Sequence, residues 1–402
     1  MRVLLTLVAS WLVACVGDST ITPLTDASND TTTTDVGTGQ DAATDVAVDT
    51  PLVCDGGSTV IACNSTCVDI ASSVTNCGAC NHDCGGGACT LGVCQPVSLV
   101  AAALDYPILD VSATNIYFQN GPNDAQVLVT CPSSGCMLAP TTISSPGTVY
   151  SGPGGAAVLM GLNIAFYGEA ASQPGKPRIF ACDPIGGCST TPVTLWNAGL
   201  EGFGGDTAAS GNDVYWTYYK NLQHANCSAA NTCSTAETLV LRTLTWPRVG
   251  LSADSSGIYY VDPTSQALSK CGPSGACTPT VLLAGPLSTT TLNTFAYGGN
   301  VYILDSNMSG YVKGTITVCP NTGTCTPTTF VNAQPYPTIL RVDAQGVYWY
   351  DSDAHDIKTC PLTGCLPSPR TLATSQPIVT YLRTDASFVY WATDTQIFRV
   401  AK

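Results

Sequence analysis

Past residue 95 the apolar positions fall into short alternating runs bounded by Gly, Asp, Asn and Pro, a pattern that predicts strands and tight turns. One run recurs. A β-branched residue, then tyrosine, then an aromatic residue or Ile stands at Ile116-Tyr117-Phe118, Val214-Tyr215-Trp216, Ile258-Tyr259-Tyr260, Val301-Tyr302-Ile303, Val347-Tyr348-Trp349 and Val389-Tyr390-Trp391. Ile164-Ala165-Phe166 is a degenerate seventh copy, and successive β-branched positions lie 42 to 50 residues apart. A period in the forties with β-branched and aromatic centres is that of the four-stranded blade of a β-propeller.

One copy shows the unit. Thr338 to Val342 reads as a strand, Asp343-Ala344-Gln345-Gly346 as a turn, Val347 to Tyr350 as the second strand and Asp356 to Cys360 as the third. A hairpin follows, with turn residues between two thiols in Cys360-Pro361-Leu362-Thr363-Gly364-Cys365. Cys131/Cys136, Cys182/Cys188, Cys227/Cys233, Cys271/Cys277 and Cys319/Cys325 repeat the arrangement, and cysteines so placed face each other across adjacent antiparallel strands at disulfide distance. The array ends with a third strand, Gln396 to Val400, while Cys94-Gln95-Pro96-Val97-Ser98-Leu99 matches the stretches that open fourth strands elsewhere, such as Cys277-Thr278-Pro279. The N-terminal strand is therefore expected to complete the last blade and remove two free sheet edges. The expected fold is all-β: a seven-bladed propeller closed by an N-terminal strand, or a six-bladed one if the copy around Ile164 is irregular.

Upstream the composition changes twice. Cys54 to Cys94 holds eight cysteines in 41 residues (Cys54, Cys63, Cys67, Cys77, Cys80, Cys84, Cys89, Cys94) and few apolar residues, so disulfides must hold it; the 105 pairings of eight thiols stay open. Val16 to Leu52 has seven Asp, no Lys, no Arg and no aromatic residue. It cannot bury enough apolar surface to fold, and reads as a tether with an r.m.s. reach of about 30 to 35 Å. Met1-Arg2 and the apolar stretch Val3 to Val13 read as a leader too short to span a bilayer. The expected divisions are a signal peptide at 1–14, a lipidated cysteine and acidic tether at 15–53, a disulfide module at 54–94 and the propeller at 95–402.

Three resemblances add to this. Leu12-Val13-Ala14-Cys15 resembles the lipobox of bacterial lipoproteins, which implies cleavage before Cys15, acylation of its thiol and a place in the cell envelope, at the outer membrane; the other reading is an ordinary secretory signal with a chance cysteine. The run Asp69 … Asn76-Cys77-Gly78-Ala79-Cys80 … Cys84 … Cys89-Thr90-Leu91-Gly92-Val93-Cys94 resembles the Stig1-like Cys-rich modules, implying a small extracellular module without catalysis. Tyr348-Trp349-Tyr350-Asp351 and Tyr390-Trp391-Ala392-Thr393-Asp394 are similar to YWTD-type propeller repeats. That similarity implies that the aromatic residues pack between blades, and gives Tyr117, Tyr215, Tyr259, Tyr302, Tyr348 and Tyr390 a structural role.

Charge and reactive residues narrow the function. Fourteen Lys+Arg against 28 Asp+Glu, a net charge of -14 and no basic run argue against nucleic acid as a partner. Twenty-one cysteines point to an oxidising, extracytoplasmic compartment, and one lipobox thiol, eight module thiols and twelve hairpin thiols leave none free for catalysis. Cys77, Cys80 and His82 allow a zinc reading, with disulfides favoured. Asp351, Asp353 and Asp356 around His355 are the one Ca²⁺ candidate, set against a solvated turn; no other cofactor is expected. Trp216, Tyr218, Tyr219 and His224 mark a candidate binding loop in an aromatic connection before Cys227, set against rings that merely pack. No catalytic residue stands out. The expectation is a monomeric, lipid-anchored binding or scaffolding protein whose partner is a protein or glycan on the propeller face. The alternatives are a lyase or hydrolase with its site built at the channel mouth from several repeats, and a structural envelope component.

Overall fold

The computed structural model describes residues 53–402 apart from 102–108, 122–126, 137–138, 145–157, 170–176, 186–187, 189–191, 198–203, 219–220, 242–249, 263, 288–292, 307–313 and 366–367. All described residues belong to one compact unit, Leu52–Lys402. The leader, Cys15 and the tether lie outside the described residues. No described helix is long and apolar enough to cross a membrane.

Seven four-stranded antiparallel sheets form the propeller. From the innermost strand outward, blade 1 is Leu109–Val111, Asn115–Asn120, Val127–Pro132 and Thr141–Thr142; blade 2 is Val158–Met160, Asn163–Glu169, Pro177–Cys182 and Val193–Asn197. Blade 3 is Gly204–Ser210, Asp213–Tyr218, Asn221–Asn226 and Glu237–Leu241, and blade 4 is Ser252–Asp254, Gly257–Asp262, Ala267–Cys271 and Thr280–Leu283. Blade 5 is Asn293–Tyr297, Asn300–Asp305, Gly314–Pro320 and Thr328–Gln334, and blade 6 is Pro337–Val342, Val347–Asp351, Asp356–Cys360 and Arg370–Ala373. Blade 7 closes the ring: Tyr381–Thr384, Phe388–Ala392 and Gln396–Ala401 take Val97–Ala101 as their outer strand, with Ile397 opposite Val100 and Arg399 opposite Val97. The copy around Ile164 is a full blade, which settles the count at seven.

The repeated motif is the seam between blades. In six of the second strands tyrosine, and in blade 2 Ala165, faces the next blade, while its two neighbours face the previous one, as period-2 alternation requires. Tyr259 packs with Val301 and Ile303 of blade 5, and Tyr302 with Leu340, Val347 and Trp349 of blade 6. Trp216, Trp349 and Trp391 are sealed from solvent in these seams. Every boundary thus buries aromatic area from at least one of its two blades, at roughly 25 cal/mol per Å².

The six hairpin pairs are bonded, Cys131–Cys136, Cys182–Cys188, Cys227–Cys233, Cys271–Cys277, Cys319–Cys325 and Cys360–Cys365. They also reach sideways. The Cys136 N–H donates to Leu99 O at 3.2 Å, Cys277 N–H to Leu239 O at 2.8 Å and Cys325 N–H to Leu282 O at 2.6 Å, each acceptor lying on the outer strand of the preceding blade. Strand direction alternates, so these hairpins share one end of the disc with the turns between first and second strands.

Cys54–Cys94 folds on four bridges, Cys54–Cys67, Cys63–Cys80, Cys77–Cys89 and Cys84–Cys94. Its regular structure is two small two-stranded ladders, Val60–Cys63 with Thr66–Asp69 and Cys89–Thr90 with Val93–Cys94. Buried Cys77, Cys84 and Cys94 join one apolar cluster with Tyr348, Leu382, Val389 and Trp391, so the core of the module is completed by blades 6 and 7.

Candidate functional site

The innermost strands of neighbouring blades touch in a closed ring around the axis. Their register places one residue of each blade opposite the motif position of its second strand. Going round from blade 1 these are Asp110 (opposite Tyr117), Val158 (Ala165), Ala208 (Tyr215), Ser252 (Tyr259), Phe295 (Tyr302), Arg341 (Tyr348) and Arg383 (Tyr390). All the charge of this ring lies in blades 6, 7 and 1. Arg383 Nε donates to Asp110 Oδ1 at 3.0 Å, and Asp110 also accepts the Val111 N–H at 3.0 Å and the Leu159 N–H at 2.6 Å.

Arg341 stands between Arg383 and Phe295, its guanidinium 5.5 Å from the Phe295 ring centroid, and its Nη1 donates to Leu340 O at 2.6 Å. Protein crowds it closely, yet part of its surface stays open to solvent, as expected of a side chain lining a narrow channel. Burial, and then the Arg383 charge, hold this guanidinium well below the usual arginine range, against the opposing pull of Asp110 and Tyr381. Ser252, the hydroxyl of the ring, is tied to Thr294 Oγ1 at 2.9 Å.

At the hairpin end a second pattern repeats. An aspartate five residues before the motif tyrosine accepts its hydroxyl: Tyr259 on Asp254 at 3.1 Å, Tyr348 on Asp343 at 3.3 Å and Tyr390 on Asp385 at 2.7 Å. Burial, before any other cause, raises the phenols of Tyr215, Tyr302, Tyr348, Tyr350 and Tyr390 and pushes Tyr259 up to about 12. In blade 4 the bracket brings together a serine, a lysine and a tyrosine. Ser256 Oγ lies 2.7 Å from Tyr259 OH, 3.0 Å from Lys270 Nζ and 2.8 Å from Asp254 Oδ1. It resembles a nucleophile with its base, but Ser256 donates to Asp254 and accepts from Lys270 and from Asn321 Nδ2 at 3.2 Å, which occupies the hydroxyl in full.

The expected aromatic connection at Trp216–His224 is instead a tight hairpin, with Trp216 opposite Gln223 and Tyr218 opposite Asn221. Alternation turns Trp216 into the seam between blades 2 and 3, beside Ala165 and Leu195. Tyr218 lies in the strand, and Tyr219 lies outside the described residues. His224 is also a strand residue rather than a loop residue. It stacks on Tyr215 with centroids 4.9 Å apart, its Nε2 2.8 Å from Asp213 Oδ1 and its Nδ1 2.7 Å from Glu237 Oε1. Glu237 also accepts the Gly275 N–H of the blade 4 hairpin at 3.0 Å, a bond that, ahead of the one from His224, holds its carboxyl below the usual range. Trp216 and His224 brace blades; they do not present a surface.

In the Asp351–Asp356 turn, Asp351 is fully buried and bound by Lys358 Nζ at 2.8 Å and the Ala354 N–H at 3.1 Å, whereas His355 meets Tyr350 OH at 3.1 Å and Gln376 O at 3.2 Å. The sulfurs of Cys77, Cys84 and Cys89 lie close together, but all three are in disulfides. His82 faces Cys77 O through Nδ1 and Lys402 O through Nε2, the latter at 2.8 Å.

That last bond belongs to a joint between module and disc. Arg399 Nη2 donates to Gly85 O at 2.5 Å and Nη1 to Ser133 O at 2.6 Å, and its guanidinium lies 4.3 Å from the Phe388 ring centroid. A Cβ at Gly85 would fall 2.3 Å from Phe388, so the module backbone lies directly on that ring. Lys402 Nζ reaches Asp343 Oδ2 and Asp385 O, linking two of the Asp–Tyr brackets. The module therefore caps the hairpin end over blades 6 and 7. Sequence reasoning missed both the Asp–Tyr bracket and the ring of inner residues. The bracket was available as a spacing of five; the ring needs register, because its members come one per repeat.

No protein-family model and no curated protein matches the chain. Among solved structures it is similar to virginiamycin B lyase from Staphylococcus aureus, with TM-score 0.53 and 11% identity over 77% of this chain and 98% of the lyase. It is also similar to the WD40 β-propeller domain of Doa1, with TM-score 0.52 and 11% identity over 76% of this chain and 95% of that domain. At such identities the likeness is one of fold; the ten disulfides of the chain add an oxidising compartment outside the cytoplasm.

Proposed function

We propose that the protein is a lipid-anchored, extracytoplasmic binding protein that displays a rigid propeller, with Cys15 as the acylated residue and residues 16–52 as the tether. The observation that carries the reading is the joint at Arg399, His82 and Lys402. Chain enters the folded unit through the module, and the module is fixed to the hairpin end by bonds that span over 300 residues of sequence. A freely hinged module would need none of them. With that end capped, the opposite end and the channel are left for a partner, a protein or a glycan. The lyase likeness concerns the fold, and the one Ser–Lys–Tyr grouping described above is occupied within a repeated structural bracket.

The test is fractionation of cells expressing the full chain. Wild type is expected in the membrane fraction and Cys15→Ser in the soluble extracytoplasmic fraction; a Cys15→Ser protein still retained by membranes would refute the anchor. Cross-linking on intact cells then reads the partner, with the expected cross-links arising from the end opposite the hairpins.

A further inference from the structure

We propose that Arg341 and Arg383 form a carboxylate clamp in the propeller channel that takes a small organic monoanion with an apolar body. The inference deepens the reading of the propeller as a binding head by naming the chemistry of its ligand.

Two adjacent ring positions carry guanidiniums and one carries a carboxylate, and both oxygens of Asp110 are already used by Arg383 Nε, the Val111 N–H and the Leu159 N–H. Among the described residues Arg341 has no carboxylate partner: its hydrogen-bond acceptor is Leu340 O, through Nη1 alone. The planar fork of an arginine offers five N–H donors. Among the described residues most of that fork is unused, beside a second positive charge in a crowded channel, where an uncompensated charge is costly. One bound negative charge would balance the trio, whereas a doubly charged anion would overshoot it.

Phe295 lies against one side of Arg341 at 5.5 Å and supplies an apolar plate on which the body of an organic acid can rest. Across the ring the equivalent positions include Ala208 and Ser252, two short side chains. The charged side of the ring thus faces a side with little bulk. Guanidinium forks bind planar carboxylates in bidentate fashion, which a lysine pair would not do.

The test titrates benzoate into the full-length protein by calorimetry, with acetate and inorganic phosphate as comparators. Benzoate is expected to bind saturably at one site, more tightly than acetate or phosphate. Arg341→Gln is expected to weaken it at least about ten-fold, the loss of a charge-assisted pair, and Arg341→Lys by a smaller factor, since charge remains and the fork is lost. Arg341→Lys also serves if the Gln variant fails to fold. In ligand-free protein Arg341→Gln is expected to melt no lower than wild type, because it removes an unbalanced charge, whereas a merely structural arginine would leave the variant less stable. The clamp is wrong if wild type shows no saturable benzoate binding, if wild type and both variants bind alike, or if phosphate binds more tightly than benzoate. The membrane fractionation and cross-linking above do not involve Arg341, so failure of the clamp would leave the display reading standing.

Discussion

The module and the propeller solve the same problem by different means. The 41 residues from Cys54 to Cys94 have almost no apolar interior and depend on four disulfides, each closing a loop of 10 to 17 residues. The propeller has a continuous aromatic seam at every blade boundary, and its six disulfides close loops of only five or six residues. A cross-link stabilises mainly by restricting the unfolded chain, more for longer loops, by about 3 kcal/mol for the module bridges and about 2 kcal/mol for the hairpins. The module is thus made of cross-links, whereas in the propeller they reinforce a fold that packing already specifies. The two meet where Cys77, Cys84 and Cys94 pack on Trp391 and Tyr348, so the module borrows the core it lacks.

The largest effects should come from the seams. Trp349→Ala and Trp391→Ala each empty a sealed boundary and are expected to lower stability by about 3 to 5 kcal/mol, read as a shift in the denaturation midpoint. Phenylalanine sharpens the comparison. Trp391 Nε1 donates to Gln376 Oε1 at 3.1 Å, whereas among the described residues Trp349 Nε1 has no hydrogen-bond partner. Trp391→Phe should therefore cost about 1 kcal/mol more than Trp349→Phe. Equal costs would show that the hydrogen bond at Trp391 adds nothing to packing.

Next come the cross-links. Replacing Cys84 and Cys94 by serine should cost the module about 3 kcal/mol, and replacing Cys360 and Cys365 about 2 kcal/mol in the disc. Limited proteolysis separates them. The first variant should be cleaved within 54–94 while the propeller persists; the second should resist cleavage in both regions under the same conditions. If losing the module pair made the propeller proteolysed equally fast, the disc would depend on its cap as much as the cap on the disc.

Acid and alkali act on different parts of this scaffold. Burial raises the Asp254 carboxyl, but hydrogen bonds from Ser256, Asn321 and Tyr259 outweigh it and hold it below its ordinary 3.8; Glu237 is held below 4.5 by the Gly275 N–H and then by His224. A depressed carboxylate contributes stability above its unfolded value and loses it as pH falls through the folded one. The melting temperature should therefore hold down to about pH 5 and drop below it, less steeply in Glu237→Gln. The tyrosines are raised above 10.0, so the folded state keeps protons that the unfolded state releases. Their contribution is complete below pH 10 and is lost above it, and phenolate absorbance should appear together with unfolding rather than before it.

The propeller was legible because its signal is local and repeated. The strand bearing Val347-Tyr348-Trp349 can be read from six residues, and the ring closure from Cys94 to Leu99 because the same opening recurs in other blades. Hairpin disulfides were legible for the same reason, since two thiols flanking a turn have few other choices. The module pairing was not, because nothing local selects Cys63–Cys80 over other partners. The latch from Cys277 to Leu239 joins positions in different blades through backbone atoms, which carry no residue identity. Trp216 and His224 stayed between two readings, a binding loop and packed rings, because without the register a Trp-Thr-Tyr-Tyr run fits both; the strand pairing and the burial of both residues decide for packing. Arg341 looked unremarkable because its partners in the ring are separated from it by whole repeats.

Buried amides give the smallest contrast, and its sign differs between two blades. Asn163 of blade 2 is fully buried and satisfied, its Nδ2 donating to Ala229 O at 3.0 Å and its Oδ1 accepting the Asn231 N–H at 2.9 Å, both on the hairpin of blade 3. Gln119 of blade 1 is 1% exposed, and among the described residues neither its Nε2 nor its Oε1 has a partner. A buried amide that bonds is worth about 1 kcal/mol net, while one left unpaired costs roughly 1 to 3 kcal/mol. Asn163→Leu should accordingly destabilise the propeller by about 1 to 3 kcal/mol, because it also strands the Asn231 N–H and loosens a seam. Gln119→Leu keeps a similar volume, discards two unpaired dipoles and should stabilise the protein by about 1 kcal/mol. Denaturant midpoints of the two variants decide the point. A destabilised Gln119→Leu would mean that the amide is paired in solution, and would place an ordered water or a segment outside the described residues against it.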